Sequence, residues 1–135
     1  FVASFVGVET VLPGRVLTIS DGVFTAAVEG GEIQAVGHVR TGEGVLCCIR
    51  PEHVTLSTST PFSKSSARNV FSGTIRKITP LGLFYRVRLD CGFDLVAYVT
   101  RQSVESLALE EGKMVIASFK ATSVHVIPRQ APLPA

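Results

Sequence analysis

Short runs of alternating apolar and polar residues recur along the chain between glycine, proline and aspartate positions. In YRVRL, Tyr85, Val87 and Leu89 fall on one face of an extended strand, whereas Arg86 and Arg88 fall on the other. This pattern is typical of a strand with one buried and one solvated face. Further runs of strand length are GRVLTIS, VFTAAVEG, EIQAVGHV, GVLCCI, SGTIRKI, DLVAYVT, KMVIASF and SVHVI. The sequence therefore predicts an all-β fold.

The two halves of the chain form a repeat. VLPGRV at 11–16 matches VFSGTI at 70–75, an offset of 59 residues. Farther on, GVLCCIRPEHVTL at 44–56 matches MVIASFKATSVHV at 114–126, an offset of 70 residues. The second copy therefore carries an insertion of 11 residues, since 70 − 59 = 11.

The insertion lies in TRQSVESLALEEG and predicts one short helix. Val104, Leu107 and Ala108 have the i, i+3, i+4 spacing of an apolar helix face. Thr100 is suited to cap the start, and Gly112 is suited to end the helix. The rest of the chain shows no comparable helical pattern.

Five strands with a short helix between the third and the fourth describe a small Greek-key barrel of the OB type. We predict an all-β chain of two tandem OB-like Greek-key barrels, the second with the helix. The predicted units are a degenerate first repeat at 1–57, a linker at 58–65, the second repeat at 66–127 and a disordered tail at 128–135. A single β-sandwich is the alternative, and the repeat favours two barrels.

Composition excludes several classes of protein. A hydrophobic fraction of 46% with 18% charged residues indicates a well-filled globular interior. The net charge of +2 is far from the basic excess of proteins that bind nucleic acids by counterion release. No apolar run reaches the ~18 residues of a membrane helix, which predicts a soluble chain. The adjacent Cys47 and Cys48 point to opposite faces of a strand, and no cysteine has zinc-ligand spacing, so we expect reduced thiols and no metal site.

Two basic residues with small polar neighbours mark a candidate anion site. A tetrahedral dianion such as molybdate, tungstate or sulfate needs about two positive charges and several N–H or O–H donors. Arg68 and Lys120 supply the charges, and adjacent hydroxyl, amide and backbone groups supply the donors. The alternative is that these two are solvated rim residues. The candidate oxyanion-binding residues are Ser66, Ala67, Arg68, Asn69, Lys120, Ala121 and Thr122.

The first repeat departs from this set at the matching positions. Glu9 stands where the second repeat has Arg68, and Glu52 stands where it has Thr122. Two carboxylates repel a dianion. We therefore expect the second repeat to make the site and the first repeat to be structural.

The other polar residues give no case for catalysis. His38, His53 and His125 are scattered, and no pair of carboxylates is placed for acid–base work. The chain has no glycine-rich phosphate loop, so it cannot bind ATP through a P-loop. The sequence predicts no catalytic residue, no metal and no intrinsic cofactor, and thus a binding module rather than an enzyme.

Two sets of motifs resemble known domains. SSARNVFSGTIRKI, followed by LVAYVT and KATSVHVI, resembles the Mop, or molbindin-like, domain. FVASFVGVETVLPGRV with CIRPEHVTLS resembles the transport-associated OB module, TOBE, that follows the nucleotide-binding domain in ABC importer ATPases. Together they are similar to the C-terminal regulatory part of a molybdate/tungstate importer ATP-binding protein. The start at Phe1, within an apolar phrase, also suggests a segment of a longer polypeptide.

The resemblance implies a function and a set of partners. It implies that molybdate or tungstate binds between Mop units and inhibits import by feedback. The matching positions are Ser66, Arg68, Asn69, Lys120, Ala121 and Thr122. The implied partners are a second copy that pairs through the regulatory domains, an upstream nucleotide-binding domain with the ATPase activity, and a membrane permease subunit. The implied location is the cytoplasmic face of the cell membrane, and no nucleic acid partner is expected.

Three alternatives remain open from the sequence. The chain is a purely structural dimerisation or docking module of another importer, a molbindin-like intracellular molybdate-binding protein, or an OB-type oligonucleotide binder. Few aromatic residues, no tryptophan and a small net charge disfavour the last of these, because single strands are held by base stacking and positive charge.

Overall fold

The computed structural model describes residues 7–58 and 69–128. These residues form ten strands, one short α-helix and two single turns of 3-10 helix. The strands are β1 (Thr10–Ser20), β2 (Val23–Val28), β3 (Gly31–Val36), β4 (Gly44–Ile49), β5 (Thr55–Ser57), β6 (Asn69–Leu81), β7 (Phe84–Asp90), β8 (Asp94–Thr100), β9 (Met114–Phe119) and β10 (Val124–Pro128). The helix is α1 (Arg101–Ser106), and the 3-10 turns are Pro51–His53 and Ala121–Ser123.

The strands form two antiparallel sheets of five. The first sheet has the order β10-β4-β1-β2-β3, and the second sheet has the order β5-β9-β6-β7-β8. The outer strands of each sheet also contact one another, β10 against β3 and β5 against β8, so each sheet curls into a barrel. The structure confirms the predicted all-β fold of two OB-like barrels with a short helix between the third and fourth strands of the second repeat.

Each barrel takes one strand from the other repeat. β5 pairs with β9, where Leu56 is opposite Ala117, and β10 pairs with β4, where Val126 is opposite Cys47. The two repeats thus exchange their last strands, a feature that the sequence repeat does not contain. The division into units at 1–57 and 66–127 stays a prediction, and the exchange means that the two repeats are joined by hydrogen-bond ladders within each sheet.

A β-bulge recurs at the same place in both repeats. The β1 register shifts between Val16 and Thr18, and the β6 register shifts between Ile75 and Lys77. At each bulge the backbone N–H donates to a carbonyl in the turn before a neighbouring strand, as Val16 does to Glu43 at 2.9 Å. Ile75 makes the equivalent bond at 2.9 Å. The bulges therefore bend the two long strands in the same way and support the repeat alignment.

One hydrophobic core runs through both barrels. The ring of Phe71 joins it at the centre of the second sheet, with its centroid 5.1 Å from that of Phe93 and 5.9 Å from that of Phe119. Each large apolar side chain that is buried contributes about 1.5–3 kcal/mol relative to exposure. The larger buried members include Val16, Phe24, Ile33, Ile49, Ile75, Leu89, Leu95, Val115 and Phe119.

The two barrels touch through a pair of glycine turns. Gly30 lies between β2 and β3 at φ +89°, and Gly92 lies between β7 and β8 at φ +94°. A Cβ atom on Gly30 would overlap the Gly92 carbonyl oxygen, and one on Gly92 would lie 2.9 Å from the Gly30 carbonyl oxygen. Both the left-handed backbone and this close approach require glycine.

The helix α1 begins as predicted but is shorter. The Thr100 hydroxyl accepts a hydrogen bond from the Ser103 N–H at 3.1 Å, which confirms the N-cap. The helix ends well before Gly112, because Ala108 adopts a left-handed φ of +51°. Ala108, which the helical spacing placed on the apolar face, is exposed, and Leu109 is buried in its place.

All three cysteines are free, as predicted. Cys47 and Cys48 are both buried. Burial raises the pKa of Cys47 and of Cys91 to about 11, so both groups remain thiols at neutral pH. Among the described residues, no helix has the length and hydropathy to cross a lipid bilayer.

Candidate oxyanion site

The structure brings four of the seven predicted site residues together. Asn69 opens β6 and is opposite Phe119, the last residue of β9. Lys120 follows directly and leads into the 3-10 turn that holds Ala121 and Thr122. These four residues therefore lie at one end of the second sheet. Ser66, Ala67 and Arg68 lie outside the described residues.

The wall of the site is the edge strand of the other barrel. The 3-10 turn Ala121–Ser123 packs on β3, and the Ala121 side chain is buried there. The site residues are thus at the junction of the two barrels, where the chain leaves the second sheet at β9 and enters the first sheet at β10. Each barrel contributes to the environment of the candidate site.

Asn69 has a structural task that the sequence does not reveal. Its side chain is buried, with 2% exposed. The Oδ1 atom accepts from the Gln34 backbone N–H at 2.8 Å, and the Nδ2 atom donates to the Gln34 carbonyl at 2.9 Å. The carboxamide thus pairs with β3 as a strand backbone would. Both ends of the Asn69 amide are used inside the chain, so a direct role of this amide in holding an anion stays a prediction.

The first repeat has a weaker version of the same contact. Thr10, at the position that matches Asn69, is also buried, and its hydroxyl accepts from the Val96 backbone N–H at 3.2 Å. Val96 lies on β8, the edge strand that corresponds to β3. Each long strand therefore begins with a polar side chain bonded to the backbone of the other barrel.

We expect Asn69→Ala to destabilise the fold more than Thr10→Ala. The first change leaves a backbone donor and a backbone acceptor of Gln34 without partners, whereas the second leaves one donor. The expected loss in unfolding free energy is about 2–3 kcal/mol for Asn69→Ala and about 1 kcal/mol for Thr10→Ala. Urea unfolding followed by circular dichroism measures both, and equal losses would contradict this account of the pairing.

Lys120 is the charged residue of the described part of the site. Its side chain is exposed. The ion pairs among the described residues use Arg76, Arg86, Arg88 and Arg101 as their cations, and Lys120 is not one of them. The first N–H groups of the turn that follows have no acceptor within the turn itself. A compact positive charge beside backbone and Thr122 hydroxyl donors is suited to bind a small oxyanion.

The counterpart of this site in the first repeat is organised around a carboxylate. Glu9 Oε1 lies 2.7 Å from Arg86 Nε, and the Tyr98 hydroxyl donates to Glu9 Oε2. Burial raises the pKa of the Glu9 carboxyl, but the Tyr98 hydrogen bond and the Arg86 charge outweigh it and hold the pKa below its ordinary value of 4.5. Arg86 and Tyr98 were missed as partners of Glu9 because they lie 77 and 89 residues away in sequence.

This cluster predicts a pH dependence of stability. Because the Glu9 pKa is lower in the folded chain, its contribution is fully present above the unfolded pKa and is lost as the pH falls through the folded pKa. We expect Glu9→Gln to be less stable than wild type at pH 7, and the difference in unfolding free energy to close as the pH falls below 4.5 and through the folded pKa of Glu9. Urea unfolding across this range tests it, with Glu111→Gln in an exposed turn as the control. A gap that stays constant with pH would show that the Glu9 charge is not responsible.

The described residues contain no cluster of three or more histidine, cysteine, aspartate or glutamate side chains that could hold a metal ion. The site residues instead supply one flexible cation, hydroxyls and backbone N–H groups. This donor set matches an anion and offers no carboxylate or imidazole to a cation.

Two OB-type barrels meet at a segment that carries Lys120, backbone N–H groups and the Thr122 hydroxyl. Residues 65–126 match the TOBE domain family. The second repeat of this chain is therefore similar to TOBE domains.

Proteins of known role match over most of the chain. The molybdate/tungstate import ATP-binding protein WtpC of Pyrococcus horikoshii is 36% identical over 132 residues, which cover 94% of this chain and 34% of that protein. The molybdenum import ATP-binding protein ModC of Mannheimia succiniciproducens is 37% identical over 84 residues, 62% of this chain and 24% of that protein. This chain thus spans about a third of the length of the WtpC relative.

A solved structure confirms the fold. The cytoplasmic molybdate-binding protein ModG, in a crystal form with molybdate bound, superposes with a TM-score of 0.81 over 90% of this chain and 96% of its own. The two sequences are 24% identical over this match. The likeness establishes the pair of OB-type barrels, and the sequence relatives are ATP-binding proteins of molybdate or molybdate/tungstate importers.

Proposed function

We propose that this chain is the oxyanion-binding regulatory part of the ATP-binding subunit of a molybdate/tungstate importer. The observation that carries the proposal is the position of Lys120, Ala121 and Thr122 against the start of β6, in a chain that aligns with WtpC over 94% of its length. The related importer subunits and the fold of ModG both support molybdate or tungstate as the ligand. ATP hydrolysis is assigned to sequence outside these 135 residues.

Charge balance supports a second cation at the site. A dianion is neutralised by two positive charges, and Lys120 supplies one. Arg68 directly precedes Asn69 in the sequence, and Asn69 is opposite Phe119 on β9. We assign Arg68 as the second cation, with Ser66 and Thr122 as hydroxyl donors and Ala67 and Ala121 as backbone donors that allow close approach.

The magnitudes are sufficient for a sensor. Each charge-assisted hydrogen bond contributes about 1.5–3 kcal/mol net. Four to six such bonds, less the costs of ordering and desolvation, support a micromolar dissociation constant, or about −8 kcal/mol.

Feedback inhibition follows if the anion binds one arrangement of the subunits more tightly than the other. In this proposal two copies pair through their regulatory barrels, and bound oxyanion favours the pairing that holds the ATPase domains apart on the cytoplasmic face of the membrane. Import by the permease subunit then stops when internal oxyanion is abundant. To shift the equilibrium between the two arrangements by about 2.7 kcal/mol, the anion must bind one arrangement about a hundredfold more tightly than the other.

Calorimetric titration of the chain with molybdate, tungstate and sulfate tests the proposal. We expect saturable heat with molybdate and tungstate, accompanied by a rise in melting temperature because the ligand binds only the folded chain. Sulfate has the same charge but is smaller and serves as the selectivity control. The absence of both heat and thermal shift with all three ions would overturn the proposed binding.

One observation favours a second candidate function. Asn69, a predicted site residue, uses its side-chain oxygen and nitrogen to bond the backbone of β3. This contact suits a purely structural docking or dimerisation module. Such a module would keep the same oligomeric state with and without molybdate and after Lys120→Ala. Sedimentation of the wild-type chain and this variant, each with and without molybdate, separates the two functions.

The fold shared with ModG supports a further alternative, an intracellular molybdate-binding protein that acts without an ATPase. This alternative predicts the same titration but no effect on ATP hydrolysis. Measuring hydrolysis by the full-length subunit as molybdate is added distinguishes it from feedback control.

A further inference from the structure

The two repeats carry opposite charges at matching positions of the sequence. Glu9 and Arg68 each stand one residue before the first residue of a long strand. In the second sheet Arg86 is paired with Tyr98 across β7 and β8, and this pair faces Glu9. At the first-repeat junction the anion, Glu9, thus precedes the long strand β1, and the cation, Arg86, lies on β7 of the other sheet.

The corresponding wall beside the second repeat is apolar. The strand pair β2 and β3 matches β7 and β8, and the position of the Arg86–Tyr98 pair is taken by Val23, which is opposite Val36. Neither valine can donate a hydrogen bond or supply a charge. The Glu9 carboxylate therefore has side-chain donors on β7 and β8, whereas the matching positions of β2 and β3 carry neither a charge nor a side-chain donor.

The two oxygens of Glu9 are held as a protein holds a bound oxyanion. One oxygen accepts a hydrogen bond from Arg86 Nε at 2.7 Å, and the other accepts one from the Tyr98 hydroxyl. The Glu9 side chain is 24% exposed and that of Arg86 31%, so the pair is partly withdrawn from water. A charge-assisted bond from arginine together with a hydroxyl donor is the donor set that a small oxyanion requires.

A second cation stands at the same junction. Arg50 matches Lys120, and its guanidinium lies against Gly7, where an added Cβ would be 2.5 Å from Nη1. Glu52 matches Thr122 and, with Gly7 and Tyr98, lines a groove of about 460 Å³. The first-repeat junction thus holds two cations and two carboxylates of the chain itself.

We infer that the first repeat contains a latent oxyanion site that Glu9 fills as an internal anion. The site would take a tetrahedral oxyanion or a small carboxylate, with Arg86 and Tyr98 as its donors. Because Glu9 is covalently attached, its effective concentration at Arg86 exceeds that of a free anion, and external anion does not displace it. The inference extends the proposed function, since it leaves the second repeat as the working site of each chain.

The test opens the latent site in a background where the working site is disabled. Lys120→Ala removes the cation of the second repeat, Glu9→Ala vacates the position of the internal anion in the first repeat, and Glu52→Gln removes the second carboxylate. Molybdate is titrated by calorimetry into wild type, Lys120→Ala, the triple variant, and the triple variant with Arg86→Gln added. We expect the triple variant to bind molybdate about tenfold more tightly than Lys120→Ala, and Arg86→Gln to abolish that gain.

The outcomes separate this inference from the proposed function. If wild type binds molybdate and the triple variant binds no more tightly than Lys120→Ala, the latent site does not exist and the proposed function stands. If wild type does not bind but the triple variant binds through Arg86, the proposed function fails and the latent site stands. If neither binds, both are wrong.

A second measurement, of melting temperature, tests the inference even if the carboxylate variants are less stable. The melting temperature of Glu9→Ala/Glu52→Gln is followed with increasing molybdate and, separately, with acetate, and Glu52→Gln alone is the control. We expect either anion to raise the melting temperature of the double variant more than that of the control, because it replaces the missing carboxylate. A double variant that no anion restores would overturn the inference.

Discussion

Replacing Lys120 with alanine is expected to weaken molybdate binding by about 10- to 150-fold. The change removes one charge-assisted contact to the anion, which contributes about 1.5–3 kcal/mol. Lys120 is exposed and is not a partner in the ion pairs of the described chain, so the folded structure should tolerate its loss. Calorimetric titration gives the affinity, and urea unfolding gives the stability of the same sample.

Lys77→Ala is the matched control for this variant. Lys77 is also an exposed lysine of the second repeat, but it lies eight residues along β6 from Asn69, or about 26 Å at strand rise. Both variants change the net charge equally. Equal weakening by the two would mean that general attraction, rather than a contact at the barrel junction, accounts for binding.

Gly30→Ala is expected to destabilise the fold by about 3 kcal/mol. An alanine at φ +89° is strained by roughly 1–2 kcal/mol, and its Cβ would also collide with the Gly92 carbonyl, which overpacks the contact between the barrels. The collision is with backbone, which cannot rotate away as a flexible side chain would. Urea unfolding measures the loss.

Gly22→Ala separates the two causes. Gly22 has a similar left-handed φ of +79°, but a Cβ there meets nothing within 4 Å. We expect this variant to lose only about 1 kcal/mol, the backbone strain alone. If both alanine variants lose the same amount, the contact between the glycine turns does not hold the barrels together.

Much of the fold can be predicted from the alternation of apolar and polar residues and from the turn residues between the strands. GVLCCI and DLVAYVT coincide with β4 and β8, because each apolar run is bounded by turn residues. The repeat offset also places the helix in the second copy. The short β5 was missed because three residues are too few to show a period of two.

The exchange of strands could not be predicted from the repeat. β5 and β10 stand at matching positions of two similar sequences, so the side-chain pattern is satisfied whether each pairs with its own repeat or with the other. The actual choice depends on the paths of the connecting segments in space. A pattern of apolar positions carries no information about those paths.

The candidate site was only partly readable for a similar reason. The sequence identifies Asn69 and Lys120 as chemically suited residues, and the strand register places them together. The partner of the Asn69 amide is a backbone group 35 residues away, which no side-chain motif encodes. The same holds for Glu9. The sequence shows only that Glu9 stands where the second repeat has an arginine, whereas the structure shows its ion pair with Arg86 of the other repeat.

The crossing point of the chain has a thermodynamic consequence. Lys120 and the turn Ala121–Ser123 are the covalent link between β9 of the second sheet and β10 of the first. A ligand that binds this link binds only when both sheets are assembled. Its binding free energy therefore stabilises both sheets against unfolding. Neither barrel can then loosen alone without releasing the ligand. Occupancy of one small site is in this way coupled to the cooperativity of the entire domain pair.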